Sequence, residues 1–146
     1  MKESLFQMKT QRILSIDYQV NPIFSSNEKE IIATFSGESK TTFTGKNSAV
    51  VQLTMKVFSK EEYDGNRAPF YVVMVSEGVF IWNDKIPIEL VSKLLNSNAP
   101  AVLLSFQRSI LSQLTAFSNL PAFVLPLLNF SDEKNAAADS SKADDK

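Results

Sequence analysis

Few residues in this chain could carry chemistry of their own. Among its 146 residues there is no histidine and no cysteine. Their absence removes the commonest general acid–base, thiol nucleophiles, disulfides and the usual zinc ligand sets. The tightest carboxylate group is Glu61-Glu62 with Asp64 close by. Paired carboxylates can hold a hard cation or exchange protons. These adjoin Asp64-Gly65-Asn66, a strong turn signal, and so read as a solvated hairpin tip. With 4 glycines there is no phosphate-cradling loop, nucleophile elbow or metal signature. The chain reads as a non-enzyme without cofactor or metal. Its excess is in phenylalanine, 11 residues against 3 tyrosines and 1 tryptophan. Phenylalanine suits a core, and it suits a groove that grips apolar peptides without demanding hydrogen bonds.

Those rings concentrate in the stretch Asn98 to Phe130, NAPAVLLSFQRSILSQLTAFSNLPAFVLPLLNF. After Pro100, apolar residues fall at Val102, Leu103, Phe106, Ile110, Leu111, Leu114 and Phe117, the steps of one helical stripe. Ser105, Gln107, Arg108, Ser109, Ser112 and Gln113 fill much of the rest, and Ser118-Asn119 ends the pattern. The following LPAFVLPLLNF is apolar but cut by Pro121 and Pro126, which forbid a regular helix and disfavour a central strand. Such a segment must lie against other surfaces or partners. Phe106, Phe117, Leu120, Phe123 and Phe130, with Phe70 from an earlier strand, are the candidates for one wall of a peptide-binding channel. Ordinary burial would make the same rings core. Arg108, on a helix among apolar neighbours, reads as a structural ion pair or a snorkelling cation.

The elements that position these residues come in a simple order. Phe6 to Val20 is a long strand, with Leu14, Ile16, Tyr18 and Val20 alternating against Ser15, Asp17 and Gln19. After a loop at Pro22 to Lys29, a second strand runs from Glu30 to Ser36. Gly37 interrupts it, and Thr41 to Thr44 continue it after a bulge. Ser48 to Lys60 is a third strand, with Val51, Leu53, Met55 and Val57 on one face. Phe70 to Trp82 is a fourth, apolar on both faces, which predicts cover on both sides by a subunit or a ligand. Pro87 opens a short helix, Ile88 to Leu95, and Asn96 to Ala99 break it before the long helix. Strands followed by helices predict an α+β fold with a four-stranded antiparallel sheet. Residues 1–130 make one domain; the polar, mildly acidic SDEKNAAADSSKADDK at 131–146 reads as a disordered tail.

Composition narrows the classes further. At 44% hydrophobic and 21% charged the chain is globular, and its net charge of −1 gives no reason to expect nucleic acid. No apolar run is long enough to span a bilayer, and MKESLFQMKTQR lacks the apolar centre of a secretory signal. Absent cysteines fit a reducing cytoplasm.

Read together, these residues resemble the SecB family of tetrameric protein-export chaperones. Pro100 takes the family's helix-start proline, Phe106 its tyrosine, Arg108 its arginine, Pro121 its crossover-loop proline, and Asn129-Phe130 its Asn-Phe pair. Gln11-Arg12-Ile13, Asp17, Phe70, Gly78 and Phe80 match earlier, so the resemblance spans about Gln7 to Phe130. It implies an ATP-independent holdase that binds unfolded or nascent polypeptide in apolar grooves and assembles as a homodimer or homotetramer. It places Val72, Met74 and Ser76 at positions governing subunit association. It implies docking to the export motor SecA through an acidic patch on the outer sheet face. Asp17 keeps one such position, while Asn21 and Val73 stand in two others. That departure points to a diverged member with a dedicated partner, such as an antitoxin or an assembly factor, as the alternative. Enzymatic or small-ligand reuse of the fold is a third reading.

Overall fold

The computed structural model describes residues 1–25, 32–121 and 123–130. The expected tail at 131–146 and the expected strand start at Glu30-Ile31 lie outside the described residues. Four strands, β1 (Phe6–Val20), β2 (Phe35–Gly45), β3 (Ser48–Val57) and β4 (Phe70–Trp82), form one antiparallel sheet in the order β1-β4-β3-β2. Among the described residues the sheet is accompanied by the helices α1 (Lys60–Asp64), α2 (Ile88–Lys93) and α3 (Ala99–Phe117). This is the α+β architecture expected from the order of elements.

β4 is central because it is apolar on both faces, and its neighbours are β1 and β3. Its even-numbered residues from Phe70 to Trp82, with Ala49, Val51, Leu53, Met55 and Val57 of β3, face α3 and make the core. On the opposite face Val73, Val75 and Val79 are half-exposed between flanking strands. Tyr71 there is buried, against the ring of Tyr63 from α1 at 5.1 Å. Cover on both sides is thus met on one face by the chain's own helix and only in part on the other. β1 carries two register shifts, between Met8 and Thr10 and between Ile13 and Ser15. They leave Lys9 and Leu14 out of the ladder, as an edge strand commonly does.

Several elements differ from expectation for identifiable reasons. β2 runs unbroken through Gly37, which lies beneath the side chains of Leu128 and Phe130. Its register shift falls later, between Phe43 and Gly45. The Glu61-Glu62 carboxylates lie on α1 and not at a hairpin tip. Ser59 accepts from the Glu62 N–H at 3.0 Å, and Glu62 reaches back to the Ser59 N–H, a reciprocal capping box. α2 and α3 are joined without a break by a π-helical turn, Leu94–Asn98. Pro100, in the first turn of α3, has no N–H and crowds the carbonyl four residues back, which the wider turn accommodates.

Candidate functional site

At the end of the sheet where β1 finishes and β4 begins, an apolar cleft of about 240 Å³ opens between the sheet and the segment that follows α3, residues 118–130, here the crossover segment. Phe24, Phe58, Pro69, Phe70, Leu120, Pro121 and Phe123 line it. Phe70 stands at its base, with Phe58 at 5.2 Å and Phe123 at 5.6 Å, both edge-on, and Tyr18 at 5.8 Å. Edge-on rings leave faces free for a further apolar group.

Each wall has a local cause. Phe58 follows the last residue of β3 with φ of +55°, a conformation bulky residues rarely adopt. Its N–H donates to the Thr34 carbonyl at 2.7 Å, which anchors the reversal and lets its ring lie in the cleft. The same ring borders a neighbouring hollow formed by Thr34, Phe35, Ser36, Lys56 and Ser59, at the start of the β2 edge. The opposite wall begins where α3 stops. Asn119 has φ of +58° and turns the chain back, while the Leu120 N–H donates to the Thr115 carbonyl at 3.1 Å. The end of α3 is tied to β1 by Tyr18, whose hydroxyl meets Ser118 Oγ at 2.9 Å.

Of the residues expected to line a channel, the structure brings together Phe70, Leu120 and Phe123. Phe130 is buried against Gly37 away from the cleft. Phe106 is 39% and Phe117 88% exposed, and neither lines the cleft. Phe58 and Phe24 are members that the sequence reading did not select. The one available signal was Val57-Phe58, two successive apolar residues breaking the alternation of β3 before the Ser59 cap.

Val72, Met74 and Ser76 do not offer surface to a second subunit. They are 0%, 0% and 1% exposed within one chain, because they point at α3. Gln107 of α3 donates from Nε2 to Ser76 Oγ at 2.7 Å and to the Leu53 carbonyl at 3.1 Å. Asp17 lies on the outer face, where it accepts a hydrogen bond from the Tyr71 hydroxyl at 2.9 Å. The same hydroxyl accepts from Gln19 at 3.0 Å. Burial first, then the bond to Asp17 and its charge, hold the Tyr71 phenol above the usual tyrosine range. The nearest ion pair on that face, Arg12–Glu77 at 2.6 Å, is internally neutral. Arg108 is half-buried, and its Nε donates to the Leu125 carbonyl at 2.7 Å. Among the described residues no group of His, Cys, Asp and Glu is placed to hold a metal, and no helix is long and apolar enough to cross a membrane.

No family model and no curated protein sequence matches this chain. Among solved structures, the chain is similar to the Mycobacterium tuberculosis Rv1957 SecB-like chaperone in complex with a ChAD peptide from the Rv1956 HigA1 antitoxin. The likeness has a TM-score of 0.61 and covers 85% of this chain and 88% of that one, at 13% identity. The fold is SecB-like. The four-stranded antiparallel sheet followed by helices is therefore shared over nearly the whole of both chains, while the side chains that fill it are almost entirely different.

Proposed function

We propose that this protein is a chaperone-type binding protein that holds extended, apolar segments of other polypeptides, without catalysis. The observation that carries the reading is the aromatic cleft formed by Phe24, Phe58, Phe70, Leu120 and Phe123. Its lining offers apolar contact to an aliphatic or aromatic side chain. Beside it, β2 is an edge strand, and among the described residues no strand pairs with its outer side. An extended peptide can add to such an edge by main-chain hydrogen bonds and drop a side chain into the adjoining cleft. Two weak engagements on one chain then reinforce each other.

A dedicated partner is the second reading, and two observations favour it over a general role in export. The outer sheet face carries Asp17 already bonded to Tyr71, with Val73 and Asn21 where acids would be needed to steer a basic motor. The structural neighbour binds a peptide from an antitoxin. Assembly of this chain into a dimer or tetramer is part of the proposal.

The test is suppression of aggregation of a chemically denatured enzyme, measured by light scattering. Phe123→Ala should weaken holding by roughly 1.5–3 kcal/mol per ring removed. Phe117→Ala, outside the cleft, should leave it unchanged. Equal activity in Phe123→Ala and the unaltered protein would remove the cleft from the site. Capture from cell extract separates the two readings, since one stoichiometric partner argues for dedication and a broad smear of chains for general holding.

A further inference from the structure

Between Pro121 and Asn129 the described residues of the crossover segment form no helix or strand, yet they must present Phe123 at a fixed position beside Leu120. Two side chains of α3 supply the missing anchorage. Thr115 is buried, and its Oγ1 accepts from the Phe123 N–H at 2.8 Å while its hydroxyl proton is directed to the Leu111 carbonyl at 3.0 Å. Arg108 Nε donates to the Leu125 carbonyl at 2.7 Å. Residues seven apart lie nearly in line on a helix, about 10 Å along its axis. The segment therefore runs back antiparallel to α3, pinned at Phe123 by Thr115 and at Leu125 by Arg108. At the first of those pins the Phe123 ring meets Phe70 at 5.6 Å.

We propose that Thr115 is a positioning residue for polypeptide binding, acting with Arg108 to preorganise the crossover wall of the cleft. The inference rests on the cleft being the binding site. A wall that is already ordered spares the complex the entropy of ordering it on contact. Without the Thr115 oxygen, the Phe123 N–H loses its partner and the wall samples other placements. The fold itself does not depend on this bond, because α3 is held to the sheet by Leu103, Leu104, Gln107 and Leu111, all buried.

The experiment uses the full chain and, as probe, reduced and carboxymethylated lactalbumin, a permanently unfolded polypeptide. Thr115→Val keeps shape and removes the acceptor; Thr115→Ser restores it. Loss of one such bond should weaken probe binding roughly tenfold in Thr115→Val, with recovery in Thr115→Ser. Amide exchange of Phe123 should accelerate in the valine variant and return to normal in the serine variant, with α3 amides unchanged. Arg108→Met, which releases the second pin, should weaken binding in the same direction and serves if Thr115→Val does not fold. Normal probe affinity and normal Phe123 exchange in Thr115→Val would overturn the positioning role alone. Failure of the unaltered protein to bind any probe would instead overturn the cleft as a binding site, and the positioning role with it.

Discussion

Tyr71 shows how one side chain decides what a surface can do. Its hydroxyl occupies Asp17, the acidic group left on the outer sheet face at the position the SecB resemblance picks out. Its ring is buried against Tyr63, and Tyr63 in turn donates to the Val20 carbonyl at 3.1 Å. Ionising the phenol would place a second negative charge beside Asp17 with little water to solvate it, so the neutral form is favoured in the fold. A raised native pKa means that the folded state keeps its proton longer than the unfolded chain does. The resulting stability is complete below about pH 10, the unfolded value, and is lost as pH rises through the higher folded value. Urea unfolding at successive alkaline pH values should therefore show stability declining above pH 10, and Tyr71→Phe should flatten that decline. An unchanged alkaline slope in the variant would show that the phenol is not the group responsible.

At the scale of elements, α3 was legible as a helix but not in its orientation. Its residues Val102, Phe106 and Phe117 look like one side of a core stripe, yet they face outward. The buried line is Ala99, Leu103, Gln107, Leu111 and Thr115, at a spacing of four. It includes two polar residues, which hydropathy alone assigns to solvent. Gln107 is there because its Nε2 bridges β3 and β4, yet its Oε1 is buried without a hydrogen-bond partner. An acceptor stripped of water without compensation offsets much of what the donor side contributes. Replacing both side chains, Gln107→Leu with Ser76→Ala, should therefore be less costly by about 1–2 kcal/mol than Gln107→Leu alone, which strands the Ser76 hydroxyl as well as the Leu53 carbonyl. Urea midpoints of the two variants and the unaltered protein check this, and a double variant less stable than Gln107→Leu would refute it. The strands were read more successfully because a period of two has one interpretation once a face is buried. β1 and β4 lie where alternation places them, and α1 was missed because Asp64-Gly65-Asn66 outweighed the Ser59 and Glu62 capping pair. The cleft was half visible, since Leu120, Phe123 and Phe70 stand out as apolar residues near prolines. Phe58 owes its place to a left-handed backbone that no periodicity announces.

For the whole molecule, the deciding fact is how little of the sheet one helix can cover. α3 packs mainly on β3 and β4 and meets β1 near Tyr18, so the middle of the helix-side face of β1 is left open. Ile13 and Ile16 lie on that face, opposite Ser76 and Met74, and both are exposed, as is the bulged Leu14. Val102 and Phe106 on the outer side of α3 are exposed as well. Apolar residues left bare on both a sheet edge and a helix flank are what a second copy of the chain would cover. This surface, rather than the buried Val72, Met74 and Ser76, is the first to test for assembly. Sedimentation should accordingly find more than one chain per particle. Ile16→Glu combined with Phe106→Glu should give monomers of unchanged secondary structure, because neither side chain belongs to the buried core of a single chain. Each residue forfeits roughly 1.5–3 kcal/mol of apolar burial at the contact and adds a charge to be desolvated there. A monomeric unaltered protein would show that the chain tolerates this open face by itself. An assembled double variant would place the contact elsewhere, and the free edge of β2 would be the next surface to disrupt.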